Sequence, residues 1–244
     1  MMWRAAVAIV GLCLFLQVRA QERASDVASF LHWYGHASFR LQDGERQIYI
    51  DPWKVPGTAP LADIVLVTHS HFDHFAPSTI AQLAKGNTRL VAPRDVTAQA
   101  EKSKELAGLH AKPGNLIAVA PGDTVQVNGV EIVAVPAYNM GKEFHPKANR
   151  WVGYLVRMSS GLVVYHAGDT DFVPEMARLR PDVALLPIGG TYTMGPEEAA
   201  KAAQAMGARV VVPMHYGEIV GSAKDADRLR ELLGKSVLVL SREK

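Results

Sequence analysis

The sequence predicts an α/β chain with α+β character: two β-sheets packed together, with helices outside. Three observations predict it. Roughly a dozen short apolar runs are bounded by Gly, Pro, Asn or Asp, as strands are. Two β-rich stretches, opening at Phe30 and at Leu116, are each followed by alternating strands and helices. No linker separates the halves, and no internal repeat or low-complexity tract interrupts them. A hydrophobic fraction of 48% over 244 residues is enough for a sizeable core.

Met1-Met2-Trp3-Arg4 is a short positive start, and Ala5 to Leu16 is apolar but too short to span a bilayer. Val18-Arg19-Ala20 puts small residues where a signal peptidase reads, so residues 1–20 read as a signal peptide cut after Ala20. Leu12 before Cys13 is too large for a lipoprotein signal. The mature chain is therefore expected to be periplasmic or secreted, with no stable membrane insertion. Cys13, the only cysteine, would leave with the leader, so any metal must be held by nitrogen or oxygen. Residues 21–29 read as a polar tether and residues 30–244 as one domain. Net charge is +2 with no Lys/Arg block, which implies no nucleic-acid partner and assigns no oligomeric state.

Phe30 to Tyr34, Ser38 to Leu41 and Gln47 to Ile50 read as strands, the last two joined by the Asp43-Gly44 turn. Ile64 to Val67 is a buried strand, and Pro77 opens a helix through Leu83. Thr88 to Ala92 is a strand and Pro93 to Leu106 a helix. Strands follow at Leu116 to Ala120, Thr124 to Val127 and Val130 to Val135, with Asn128-Gly129 as a hairpin turn. Two more run from Trp151 to Arg157 and from Leu162 to His166. The last third alternates: helix from Val173 to Leu179, strand from Val183 to Pro187, helix from Pro196 to Met206, strand from Val210 to Pro213. A helix from Ala223 to Leu233 and a closing strand from Val237 to Leu240 complete it. Gly195, Pro196, Glu197 and Glu198 suit a helix start and its dipole.

The densest chemistry is Thr68-His69-Ser70-His71-Phe72-Asp73-His74, directly after the Ile64 strand. Neutral imidazole and carboxylate are ligands of zinc and neighbouring divalent ions. His69 and His71, two apart in extended chain, point the same way. Asp73 and His74 fall in the turn before the helix. That spacing suits two metals, with His69 and His71 on the first and Asp73 and His74 on the second. Asp51, His145, Asp169 and His215 are further candidates; Asp51, Asp169 and His215 follow apolar strands and His145 lies in a polar loop. Trp53, Tyr138, Tyr192 and Met194 are cleft-wall or packing residues, and Gly189-Gly190-Thr191 reads as a loop shaped to pass the metals.

His-x-His-x-Asp-His after a strand, a later Gly168-Asp169-Thr170 and a late Pro213-Met214-His215-Tyr216-Gly217 resemble the metallo-β-lactamase fold superfamily. Gly35-His36-Ala37-Ser38-Phe39, Ile50-Asp51-Pro52 and Tyr165-His166-Ala167 are similar to its metal-dependent hydrolase branch with the ascorbate-6-phosphate lactonase-like proteins. The resemblance runs from about Phe30 to the C-terminus. It implies an αβ/βα four-layer sandwich with a dinuclear centre. His69 and His71 would hold the first metal, Asp73, His74 and His215 the second, and Asp169 would bridge. Asp51 would orient the motif. The family's third histidine on the first metal is missing: Asn139 stands there. Either His145 reaches back, or Asn139 or water fills the gap. His36 and His166 would hydrogen-bond substrate or ligand carboxylates.

The resemblance implies a metal-dependent hydrolase acting on a small molecule through a metal-bound hydroxide, since two such ions lower a shared water's pKa toward about 7. Asp73 and Asp169 would move the proton to the leaving group. The donor set suits zinc, with manganese or iron(II) as alternatives. An ester, lactone or phosphodiester is the expected bond. A β-lactamase acting on amides and a non-catalytic metal- or ligand-binding module are the competing readings.

Overall fold

The computed structural model describes residues 26–244, so the expected leader and most of the tether lie outside the described residues. Residues 26–30, the last four of the tether and Phe30, expected to open the first strand, are helical, and Val27 is only 5% exposed. One apolar side chain within reach of the core holds this turn against it.

Among the described residues, twelve strands form two six-stranded sheets. The first holds β1 (Leu31–Gly35), β2 (Ser38–Asp43), β3 (Arg46–Ile50), β4 (Ala62–Leu66), β5 (Ala84–Pro93) and β6 (Leu116–Val119), in that spatial order. The second holds β7 (Thr124–Val127), β8 (Val130–Pro136), β9 (Val152–Arg157), β10 (Val163–His166), β11 (Val183–Pro187) and β12 (Val210–Met214), also side by side in sequence order. Each sheet opens as an antiparallel meander and closes in parallel strands. In the first, β1–β3 are antiparallel and β4–β6 run parallel with β3. In the second, β7–β10 are antiparallel and β11 and β12 run parallel with β10. Parallel neighbours need crossovers, which collect loops at the carboxyl ends of the strands.

Helices α1 (Pro77–Leu83), α2 (Arg94–Lys102) and α3 (Ala107–His110) cover the first sheet, and α4 (Pro196–Met206) and α5 (Ala223–Leu233) cover the second. The four layers follow from alternation along β4. Ile64 and Leu66 face the second sheet, while Val65 and Val67 pack with Ile80, Leu83 and Val96 of the helices. Pro196 and two glutamates open α4, and a reciprocal Ser222–Asp225 capping box opens α5.

Three elements differ from the sequence reading. The helix expected through Leu106 stops at Lys102, because Ser103 is extended; this lets Leu106 and Leu109 turn back into the core. Strand β5 starts at Ala84, directly after α1. The closing strand reduces to one bridge between Val237 and Val211, because the chain leaves β12 there and runs on to pair Arg242 and Glu243 with Trp33 of β1.

Tyr154 on β9 joins the sheets where it matters most. Its buried hydroxyl donates to Val67 O (2.8 Å) and lies 3.2 Å from Val91 O, at the ends of β4 and β5. Val152 N donates to Thr68 O at 3.2 Å one step further on. The strand end that launches the histidine motif is thus held by the opposite sheet. Tyr154→Phe leaves Val67 O without this donor and is expected to cost about 1–3 kcal/mol of stability, measured by urea denaturation.

Candidate metal centre

The centre sits where the strand ends of both sheets meet. Asp51 follows β3, the His69–His74 motif follows β4, Asp169 follows β10 and His215 follows β12. Left-handed backbone is concentrated here. Among the described residues seven non-glycine residues adopt it, and four of these, His36, Asp51, His145 and His215, belong to the site. Strain of this kind persists only where surrounding contacts enforce it. Gly189 serves the same crowding: a Cβ there would lie 2.5 Å from His215 O, so only glycine lets the loop pass behind that residue.

Asp51, fully buried, organises the motif. Its carboxylate accepts from Thr68 N (2.7 Å), Thr68 Oγ1 (2.7 Å) and His74 Nδ1 (2.7 Å). Because the Thr68 hydroxyl donates to Asp51, it accepts from His69 Nδ1 at 2.9 Å. That fixes His69 as the Nδ1–H tautomer and leaves Nε2 a bare lone pair. His74, donating through Nδ1, likewise presents a bare Nε2.

Two clusters result. In the first, His69 Nε2 and His145 Nε2 lie 3.1 and 3.2 Å from His71 Nδ1. His145 donates through Nδ1 to Tyr192 O (3.2 Å), so its Nε2 is also a lone pair. A single proton on His71 can satisfy only one of these two nitrogens. In the second cluster, ligand atoms of His36, Asp73, His74 and His215 lie within 4.8 Å of one another. Asp169 stands between the two: Oδ2 is 3.2 Å from His145 Nε2 and 3.0 Å from His215 Nε2, and Oδ1 is 3.3 Å from His74 Nε2.

Those distances are short, yet His74 Nε2, Asp169 Oδ1 and both ring nitrogens of His215 have no aligned hydrogen-bond partner. Buried polar atoms are normally paired. Lone pairs facing a carboxylate without a proton between them repel, and a cation there removes the conflict. The electrostatics agree. Burial, the largest effect on Asp169, favours its neutral form, but His215 and His74 outweigh it and hold the carboxyl well below the usual range. Burial also opposes charge on His74, yet Asp169 and Asp51 raise it well above the ordinary imidazole value: the pocket calls for positive charge. Burial lowers His69 and His71, keeping their rings neutral and able to donate lone pairs. Asp73 is brought down to about 2; burial raises it, and the His36 hydrogen bond and His74 overcome that. The donor set therefore fits divalent cations.

Of the expected residues, His69, His71, Asp73, His74, Asp169 and His215 converge. His145 joins His69 and His71, so it, and not Asn139, stands in the third-histidine place. Asn139 stands behind His145, its Nδ2 3.3 Å from His145 Nδ1, and donates through that Nδ2 to Phe144 O (2.9 Å) and Tyr192 O (2.7 Å), bracing the loop that carries His145. His36 donates to Asp73 Oδ2 at 2.9 Å, the carboxylate partner expected for it. His166 is a departure: its Nε2 donates to Ala37 O at 2.9 Å and its Nδ1 accepts from Gly168 N, so it ties backbone and reaches neither substrate nor carboxylate. Tyr138 and Met194 are packed in the core, whereas Tyr192 lines the cleft.

Thr68 escaped the sequence reading, although its place before His69 was a signal. Trp151, whose ring lies 4.8 Å from that of His69 and 4.9 Å from that of His71, carried none; its Nε1 donates to Asp95 Oδ2. A cleft of about 250 Å³ opens onto the cluster, lined by His71, Asp73, His145, Asp169 and His215 with Phe72, Phe144, Tyr192 and Ile219. A larger hollow of about 580 Å³, beside Arg94, Asp123 and Arg150, contains none of these donors.

Such a sandwich, with imidazoles and carboxylates gathered at its strand ends, defines a metal-dependent hydrolase. Residues 30–215 match the family described as the beta-lactamase superfamily domain, and the chain belongs to the metallo-β-lactamase superfamily. It is 39% identical over 220 residues to a UPF0173 metal-dependent hydrolase of Methanoculleus marisnigri, covering 86% of this chain and 90% of that one. The solved structure of a metal-dependent hydrolase candidate from Parabacteroides distasonis is 33% identical with a TM-score of 0.73, covering 87% and 92%. A candidate zinc-dependent hydrolase of the superfamily from Thermotoga maritima is 27% identical with a TM-score of 0.55, covering 83% and 84%.

Thr68→Val removes the group that sets the His69 tautomer while keeping the side chain's shape. It is expected to weaken metal binding about 10–100-fold, as read by competition titration with a chromogenic chelator.

Proposed function

We propose that this metal-dependent hydrolase is exported and uses two divalent cations, zinc foremost, to cleave an ester, lactone or phosphodiester bond of a small molecule. The observation that carries the reading is Asp169, a buried carboxylate with a triad of imidazoles on one side and a His–Asp–His set on the other. His69, His71 and His145 would hold one ion, Asp73, His74 and His215 the other, and Asp169 would reach both. Nitrogen and carboxylate donors without thiolate suit zinc, and the Thermotoga maritima relative is described as zinc-dependent. Bound there, the ions would supply Lewis acidity and bring a water's pKa toward about 7.

The chain's own groups do the rest. Asp73 opens onto the cleft, where its carboxylate would accept the proton released by the attacking water and return it to the leaving group. His36 holds the other face of that carboxylate in place. Asp51 and Thr68 fix the tautomers of His74 and His69. With His145 beside His69 and His71, amide cleavage stays among the readings, so a β-lactam belongs in any substrate panel.

Metal analysis tests the centre. Wild type is expected to hold two equivalents, His145→Ala one, and Asn139→Ala two bound less tightly. Full occupancy in His145→Ala would remove that residue from the centre, and a single equivalent in wild type would end the two-ion reading. Stoichiometric metal with no turnover of a lactone, ester, phosphodiester or β-lactam would favour a binding module.

Export rests on the pattern of residues 1–20. N-terminal sequencing of the full chain expressed in a Gram-negative host is expected to find a periplasmic protein starting at Gln21; a cytoplasmic chain retaining its leader would refute it.

A further inference from the structure

The rim of the cleft has a composition that the hydrolytic chemistry does not require. Five large hydrophobic side chains stand largely exposed among the described residues: Leu61, Phe72, Met140, Phe144 and Ile219. Three of the five line this one cleft, at 69% exposure for Phe72, 46% for Phe144 and 42% for Ile219. Each is delivered by a loop that also delivers a member of the cluster. Phe72 lies between His71 and Asp73, Phe144 precedes His145, and Ile219 follows His215 by four residues. Phe144 meets Tyr192 edge-on at 4.7 Å, and Phe72 meets Trp53 edge-on at 6.1 Å, so two of the three are held in place by aromatic neighbours. Leaving such groups in water has a cost, and a cluster of them marks a surface that is covered in use.

Cations are absent from the same surface. Among the described residues, no Lys or Arg lines the cleft. Lys142, on the loop of His145, is taken up by Asp171 and by Thr193 O. Lys54 lies over the Trp53 ring and 3.6 Å from Glu218. Phosphate recognition ordinarily adds an Arg or Lys to whatever a metal supplies.

Taking the proposed hydrolase reading as its basis, we propose that the cleft selects uncharged carboxylic esters or lactones with an apolar acyl chain, and that Phe72, Phe144 and Ile219 are the residues that select it. In the reaction the oxygen of water bonds to the acyl carbon, the acyl C–O bond breaks, and the leaving alkoxide takes a proton, giving a carboxylate and an alcohol. A cleft of about 250 Å³ has room for a short chain rather than a long lipid.

Two measurements on metal-loaded full-length protein test this. First, kcat/KM is compared for p-nitrophenyl acetate, butyrate and hexanoate and for bis(p-nitrophenyl) phosphate. The rate is expected to climb up to about fourfold per added methylene, with the phosphodiester slowest. Second, calorimetry compares acetate and hexanoate, the product carboxylates, without turnover. Hexanoate is expected to bind more tightly. Ile219→Ser and Phe72→Ser, checked for metal content, should flatten both series, and Ile219→Trp should shift the preference toward acetate. A flat chain-length series, series unmoved by all three variants, or preference for the phosphodiester would overturn the apolar selection and leave the hydrolase standing. Chain-length-dependent binding with no ester or lactone turnover would support the apolar selection while refuting the ester chemistry.

Discussion

A buried negative charge among imidazoles governs this molecule. Asp169 lies within 4 Å of ring nitrogens from His69, His74, His145 and His215, nearly buried on the wall of the cleft. Isolated, such a carboxylate would be strongly unfavourable. Hydrogen bonds do not settle the account, because several of the surrounding nitrogens have already committed their protons outward. His69 gives its proton to Thr68, His74 to Asp51 and His145 to Tyr192. What remains is a shell of lone pairs facing inward. Between neutral rings and the carboxylate this arrangement is repulsive, and positive charge makes it coherent.

The outward commitments are as important as the inward ones. Asp51 accepts three hydrogen bonds, and through Thr68 it sets the tautomer of a ring it never touches. Asn139 performs a parallel task on the far side, where it braces the backbone around Phe144 and Tyr192 and so aims His145. The left-handed residues, His36, Asp51, His145 and His215, are the points at which the chain leaves regular geometry to do this. Each is buried, so packing is available to enforce the departure.

Much of this was legible in the sequence, for a definable reason. The His69–His74 motif is local, so its spacing alone carries the chemistry. Asp169 and His215 could be found because they follow apolar strands, and carboxyl ends of parallel strands collect at one edge. His145 could not be settled, since its position depends on a loop whose turn is set by Asn139 and Tyr192, far apart in sequence. Thr68 looked like an ordinary strand-end residue, because the value of its hydroxyl lies in the direction of one proton. Trp151 reaches the histidines only because the second sheet packs against the first, and no local pattern encodes that. The closing strand failed for a related reason: Val237–Leu240 has strand composition, but after a single bridge to β12 the chain moves on to pair with Trp33 of β1.

One feature of the layering reaches beyond stability. The first sheet supplies His69, His71, Asp73 and His74; the second supplies His145, Asp169 and His215 from the connections after its strands. The gap across which these two groups face each other is therefore the thickness of the oily interior between the layers, with Tyr154 as a polar rivet across it. A methyl group gained or lost well away from the cleft would alter that thickness, and with it the spacing of the inward-facing lone pairs. Reactivity and interior packing are here a single inherited dimension, so drift in the buried layer cannot leave the chemistry untouched.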